Sequence, residues 1–100
     1  MKISEIRYVS NLADANEDND NIDVLLKLSD GRVYSFVVAT PNNVFWCMEN
    51  EGTDYFFGYP PPLFVSRLSE DNIERAFIAL LSERSEHWLN LYGVKQAGGE

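Results

Sequence analysis

The side chains that could perform chemistry in this sequence of 100 residues are one histidine, one cysteine and sixteen carboxylates. His87 and Cys47 would be the base and the nucleophile of any thiol reaction. Glu86 is the neighbour of His87 in sequence, and residues one apart on a helix do not face each other. A catalytic site needs several converging polar groups. The sequence therefore predicts a protein that is not an enzyme and that holds no cofactor.

Carboxylate and amide side chains alternate in the segment 14–20, in the manner of the oxygen ligands that begin a calcium-binding loop. The alternating residues are Asp14, Asn16, Asp18 and Asp20. In that template a glycine makes the sharp turn and a glutamate closes the site, but Asn19 and Leu25 stand in those places. We interpret the segment as a solvated loop between strands, with weak, adventitious calcium binding as the alternative.

The stretch "YFFGYPPPLFV", residues 55–65, surrounds three prolines with aromatic side chains. It does not match a polyproline ligand, because Leu63 stands where the second proline of a PxxP motif is needed. The stretch could form one wall of a binding surface with the amphipathic anchors Trp46, Tyr55 and Tyr59. A domain this small needs most of its large apolar side chains inside. The sequence therefore favours core and edge packing, with the following side chains turned inward: Phe56, Phe57, Leu63 and Phe64.

The formal charge of -8 is unevenly distributed, with ten acids against four bases in residues 1–54 and six against four in residues 55–100. This balance disfavours nucleic acid, whose phosphates bind lysine and arginine, and it permits a basic protein partner. Asp18 and Asp20 are the candidate contacts for such a partner. The chain has no apolar run long enough for a membrane span and no signal-peptide core at its start. We expect a cytoplasmic protein without a membrane partner, and a homodimer is compatible with this composition.

These side chains must be positioned by strands in the first half of the chain. Ile6 and Tyr8 lie on one side of a first predicted strand. Apolar residues alternate from Ile22 to Leu28, which is the period of a half-buried strand. Asp30-Gly31 suits a tight turn, and the β-branched and aromatic segment 33–39 follows it. The sequence predicts a hairpin here, with segment 33–39 as a central strand.

Helices are predicted after the hairpin and near the end of the chain. Thr40 as N-cap, the proline that follows and Gly52 as the left-handed stop predict a short helix over residues 41–50. Ser69 is the predicted N-cap of an amphipathic helix, whose apolar stripe comprises Ile73, Ala76, Phe77, Leu80 and Leu81. Beyond it, either a second helix begins at Ser85 or the first continues, and Gly93 ends the helical pattern.

Together these patterns predict one α+β domain over residues 1–94, with a flexible tail over residues 95–100. The domain would contain an antiparallel sheet of four or five strands, with the C-terminal amphipathic helix packed on one face. The short helix would follow the third strand and cover an edge or an end of the sheet. The aromatic stretch would join the sheet to the main helix, with its prolines interrupting an edge strand.

The order of these parts from Asp23 to Glu83 resembles a group of small, uncharacterised bacterial α+β proteins. The resemblance rests on a "DGR" hairpin, the helix start after Thr40, the aromatic "YF" segment and the helix that begins "LSEDNI". The proline run departs from the group's pattern. In size and acidity the group is similar to the immunity proteins that accompany bacterial toxins. The resemblance supports the architecture, and no functional residues are carried over from it. The small size, the net charge and the absence of a catalytic set predict a non-enzymatic binding protein, in the form of an immunity-type inhibitor of a basic toxin. The alternative is a small-molecule or regulatory module with an aromatic pocket near Trp46 and Tyr55.

Overall fold

The computed structural model describes residues 2–58, 60–82 and 85–97, which form an α+β arrangement of one sheet and three α-helices. The predicted fold class is confirmed. A single 3-10 turn, Leu12–Asp14, lies between the first two strands. In chain order the elements are β1 (Ile3–Tyr8), β2 (Asn21–Leu28), β3 (Val33–Ala39), α1 (Pro41–Glu51), β4 (Leu63–Phe64), α2 (Glu70–Ser82), α3 (Ser85–Tyr92) and β5 (Gly93–Lys95).

The sheet is built around the predicted hairpin of β2 and β3. β1 pairs antiparallel with β2, and β3 shares its other edge between two short strands. β5 runs antiparallel along residues 34–36 of β3, whereas β4 runs parallel beside residues 38–39. The hairpin turns at Gly31, whose φ of 96° lies in the left-handed region that favours glycine. Asp30 stabilises the turn by accepting a hydrogen bond from the backbone N–H of Arg32 at 3.1 Å.

The core lies between one face of the sheet and the helices α2 and α3. The alternation in β2 and β3 turns their even-numbered residues towards this core, as the period of two requires. α2 begins where Ser69 Oγ accepts a hydrogen bond from the N–H of Asn72, so the predicted N-cap is confirmed. Its apolar stripe packs across the sheet, and the rings of Phe77 and Phe36 meet edge to face at 4.9 Å between centroids.

The C-terminal region forms a separate helix and a strand. Of the two alternatives, the structure has a second helix, α3, which contributes the buried Leu89 to the core. β5 follows it directly. Lys95 lies in that strand and the N–H of Gln96 donates to Val33 O at 2.8 Å, so the predicted tail began too early. Residues 98–100 of that predicted tail lie outside the described residues.

The opposite face of the sheet is covered at one end by α1. The predicted helix after the third strand is confirmed: Pro41 occupies its first turn, and Gly52 ends it at a φ of 68°. The side-chain amide of Asn21, at the start of β2, donates to Asn43 Oδ1 of α1 at 2.8 Å. Away from α1 this face remains half-exposed, for example at Val33 and Ser35.

Candidate protein-binding surface

Exposed aromatic side chains concentrate in one part of the chain, residues 45–64, which we call the aromatic segment. Nine large apolar side chains are exposed among the described residues, and six of them belong to this segment. The exposed fraction reaches 63% for Phe45 and 86% for Phe57. The six side chains are Phe45, Trp46, Tyr55, Phe56, Phe57 and Phe64.

The first two aromatic side chains are exposed because of the orientation of α1. Asn43, Val44 and Cys47 line a cavity against the sheet, so this side of the helix faces inward. Successive residues of an α-helix are rotated by about 100°. Phe45 and Trp46 consequently lie away from the inward side and project from the outer surface of α1.

The chain after α1 packs on itself and on the sheet. A Cβ added at Gly58 would lie 3.0 Å from the ring of Phe56 and 3.4 Å from Pro62, so the ring covers the glycine closely. Phe56 also lines the cavity below α1, which encloses about 200 Å³. The rings of Tyr55 and Phe57 are 5.5 Å apart, but both side chains remain mostly in solvent.

The prediction that this stretch is mostly turned inward is wrong. Phe56, Phe57 and Phe64 are exposed, and only Leu63 is partly buried. The physical reason is the shortness of β4, because after the prolines only two residues pair with β3. Phe64 lies opposite Ala39 on the face away from the main helix, so it cannot reach the core.

The charged residues in and directly before the aromatic segment are all acidic. Residues 33–66 contain no lysine and no arginine. The same residues contain three carboxylates, Glu49, Glu51 and Asp54, and all three are exposed. The exposed aromatic rings thus have acidic neighbours in the chain and no basic ones.

A network of amides ties the acidic loop before β2 to α1. Asn43, only 7% exposed, accepts from Asn21 and donates to Asn19 Oδ1 at 3.1 Å. The backbone carbonyl of Asp20 accepts from the N–H of Thr40 at 3.2 Å, at the start of the helix. A buried side-chain amide needs hydrogen-bond partners, and Asn43 finds them in Asn19 and Asn21. The network therefore fixes where the loop meets α1.

The predicted partner-binding residues fall into two groups. Trp46 and Tyr55 are exposed within the aromatic segment, and Tyr59 lies outside the described residues. Asp18 lies in the acidic loop, where its carboxylate is 3.5 Å from Nε of Arg67. Asp20 accepts hydrogen bonds from the N–H groups of Asn16 in the same loop and of Asn21 at the start of β2. The structure therefore brings the loop close to α1. The two aspartates, however, contact Arg67 and backbone N–H groups and not the aromatic segment.

Amide and carboxylate oxygens of the acidic loop accept hydrogen bonds from backbone N–H groups. Asn16 Oδ1 accepts from the N–H groups of Asp18 and Asn19, which gives an Asx turn. Among the described residues no group of three or more His, Cys, Asp or Glu side chains is arranged to hold a metal ion. Calcium binding by this loop stays an untested alternative.

The two candidate catalytic side chains lie on opposite faces of the sheet. Cys47 of α1 is half-buried, with Sγ 3.8 Å from Asn43 Oδ1. His87 belongs to α3, on the other side of the sheet, where its ring meets Trp88 at 5.1 Å. The sheet separates the thiol and the imidazole, so they cannot act on one another.

The side chains with shifted pKa values lie away from the aromatic segment. The hydrogen bond from the N–H of Arg32 lowers the pKa of Asp30 in the hairpin turn. The hydrogen bond from the Arg32 guanidinium to Glu86, 2.9 Å long, raises the pKa of Arg32. These contacts tie the hairpin to α3 and have a structural role.

Comparisons with protein-family models, with curated protein sequences and with solved structures give no match for this chain. Among the described residues, no helix combines the length and the apolar character that crossing a membrane requires. The geometry described above is therefore the basis for assigning a function.

Sequence reasoning proposed Trp46 and Tyr55 as candidate surface residues and missed Phe45, Phe56, Phe57 and Phe64. A signal for the missed residues was present in the charge pattern. A stretch of 34 residues, 33–66, without a basic residue but with three carboxylates has no long basic side chain to cover its aromatic rings. Composition alone favoured burial of these aromatic rings. It contains no information on where the sheet ends, and the end of the sheet decides whether the rings are covered.

Proposed function

We propose that the protein is a non-enzymatic binding protein whose aromatic segment contacts a protein partner. The observation that carries this proposal is the concentration of six of the nine exposed large apolar side chains in residues 45–64. Aromatic side chains are enriched among the residues that dominate interface energies. Exposed apolar groups gathered in one region are typical of interaction sites, whereas single ones are common on any surface.

The partner that fits is a basic protein with an apolar centre to its contact surface. Glu49, Glu51 and Asp54 would meet lysine or arginine at the rim, and the net charge of -8 would speed the encounter. An immunity-type inhibitor of a basic bacterial toxin is the form of this function that agrees with the size and acidity of the chain. Inhibition would then consist of covering the toxin's surface, with no reaction catalysed.

The alternative of a small-molecule module is supported by the cavity below α1. That cavity encloses about 200 Å³ and is lined by Phe56 and not by the predicted Trp46 or Tyr55. Pockets for drug-sized ligands usually enclose about 300 to 1,000 Å³. The cavity is thus better suited to one side chain of a partner than to a whole metabolite.

A capture experiment with matched variants tests the proposal. The wild-type chain, Trp46→Ser and Phe57→Ser are immobilised and exposed to a lysate of the source organism at two salt concentrations. Leu91→Ser is the control, because Leu91 is an exposed apolar residue of α3, outside the aromatic segment. We expect a basic protein to bind the wild type and the control, and to be lost from both aromatic variants.

Two results would contradict the proposal. In the first, the partner binds the aromatic variants as well as the wild type, which would assign the contact to another surface. In the second, no protein is retained by the wild type at any salt concentration. Circular dichroism of each variant confirms that lost binding does not come from unfolding.

A further inference from the structure

The outer edge of β1 is open. β1 pairs with β2, and no described strand lies on its other side. The N–H of Val9 donates to Asp23 O, and backbone groups alternate in direction along an antiparallel strand. Beyond the register shift between Ile3 and Glu5, the odd-numbered residues therefore bond to β2, and the N–H and C=O groups of Ile6 and Tyr8 point outward. They present two donors and two acceptors at the edge of the sheet.

A groove runs along this edge between β1 and α2. It consists of two adjoining depressions of about 640 and 770 Å³, and both are lined by Ile6 and Tyr8. At one end its walls are apolar, with Ile78 of α2 left 53% exposed and Leu81 partly buried beside it. The groove thus joins unpaired backbone groups to an apolar wall, which is the combination that strand addition uses.

The other end of the groove is acidic. Glu70 and Glu74 of α2 line it, close to the hydroxyl of Tyr8. Burial raises the pKa of Tyr8, and the charges of the two glutamates raise it further. A basic side chain placed here would gain from both carboxylates.

Two features limit what can pair with this edge. A register irregularity between Ile3 and Glu5 interrupts the strand, so regular pairing is confined to residues 5–8. A second copy of the chain is disfavoured, because each copy carries a net charge of -8 and has Glu70 and Glu74 in its groove, so two copies would repel each other. The groove instead suits a short, basic segment of another protein.

We propose that an extended segment of a partner protein adds to β1 as a further strand. An aliphatic side chain of the segment would contact Ile78, and a lysine or arginine two positions along would lie beside Glu70 and Glu74. The spacing of two places both side chains on the groove side of the added strand. This inference does not rest on the proposed function, because the aromatic segment belongs to α1, β4 and the chain between them and contributes no residue to the groove.

A symmetric peptide tests the proposal without knowledge of the partner. The probe is acetyl-Lys-Val-Thr-Lys-Thr-Val-Lys-amide, which reads the same in either direction and places its valines and central lysine on one side. Binding is followed by NMR of the labelled wild-type chain. We expect the peptide to slow amide exchange at Ile6 and Tyr8, which point outward, and to leave Arg7 unchanged, because its N–H already bonds to β2.

N-methylation of the peptide separates strand pairing from simple charge attraction. One derivative is methylated on both valines and the other on both threonines. Alternate N–H groups of a strand point in opposite directions, so only one derivative should lose binding. Equal binding of the two derivatives would overturn the proposal.

Charge reversal in the groove provides the matched variants. Glu74→Lys should weaken peptide binding by about three- to tenfold, since it replaces an attraction with a repulsion. Asp23→Lys makes the same change at an exposed position of β2, outside the groove and the aromatic segment, and should leave the affinity within about twofold. Equal weakening by both variants would indicate nonspecific attraction. If the free protein is dimeric by light scattering and the amides of Ile6 and Tyr8 are already protected from exchange, the edge belongs to a second copy. Either of these two results would overturn the proposal.

Discussion

Two pairs of aromatic rings in this molecule have similar geometry and opposite environments. Phe36 and Phe77 meet at 4.9 Å and neither is exposed. Tyr55 and Phe57 meet at 5.5 Å, but they are 62% and 86% exposed. The first pair is enclosed between the sheet and α2, whereas the second has no element above it. Contact between two rings therefore does not itself bury them, and the stabilisation from apolar area requires a covering layer.

Truncating one ring of each pair is the strongest test of this difference. Phe77→Ala should lower the free energy of unfolding by about 3 to 5 kcal/mol, because it leaves a cavity between α2 and the sheet. Phe57→Ala should change it by less than about 0.5 kcal/mol, because its ring is already in solvent. Urea denaturation followed by circular dichroism measures both. A large loss for Phe57→Ala would mean that the aromatic segment is covered in the free protein.

Two glycines extend the comparison to the backbone. A Cβ at Gly93 would lie 2.8 Å from both Leu89 O and the ring of Phe36, so Gly93→Ala should cost about 1 to 3 kcal/mol through overpacking. A Cβ at Gly52 would meet nothing, and Gly52→Ala should cost about 1 to 2 kcal/mol through its φ of 68° alone. Crystal structures of both variants provide the check. Displacement of β5 is expected in the first variant only, and an undisturbed β5 there would contradict the steric explanation.

The core between the sheet and the helices α2 and α3 was predictable from the sequence, because its signals are local and periodic. The alternation from Ile22 to Leu28 and the stripe through Ile73 and Phe77 each identify one face of one element. β5 was not predictable in the same way. Its three residues carry no period, and Gly93 was interpreted only as a helix stop, although its missing side chain also lets β5 approach Phe36.

The aromatic segment was harder to predict because burial there depends on long-range arrangement. Phe56, Phe57 and Phe64 have the composition of a core, and a small domain normally needs such residues inside. Their exposure follows from where β4 ends and from the placement of α1 at one end of the sheet. Neither fact is encoded in the spacing of nearby residues.

The amide network under α1 shows how the face of the sheet that α1 covers is stabilised without a large apolar core. Asn43→Ala removes the amide that links Asn19 and Asn21, and it should cost about 1 to 2 kcal/mol. The expected NMR consequence is a change of amide shifts in the acidic loop and α1, with α2 unaffected. Loss of shifts throughout the core would instead show that both sides of the sheet unfold as one unit.

The smallest expected effect is a dependence of the folding stability on pH, through Asp30 in the hairpin turn between β2 and β3. The pKa of Asp30 is lowered chiefly by the hydrogen bond from the N–H of Arg32. Burial opposes this effect, and the hydrogen bond and charge of the Arg32 side chain lower the pKa further. A carboxylate with a lowered folded pKa stabilises the fold above its ordinary pKa near 3.8, and this contribution disappears as the pH falls through the folded value. Asp30→Asn should therefore lower the urea midpoint at pH 7 and converge with the wild type below about pH 4. Asp54→Asn removes the same charge beside the exposed aromatic rings, and we expect its midpoint to follow the wild type across that range. A difference between Asp30→Asn and wild type that stays constant down to pH 2 would show that the carboxylate's charge does not stabilise the turn.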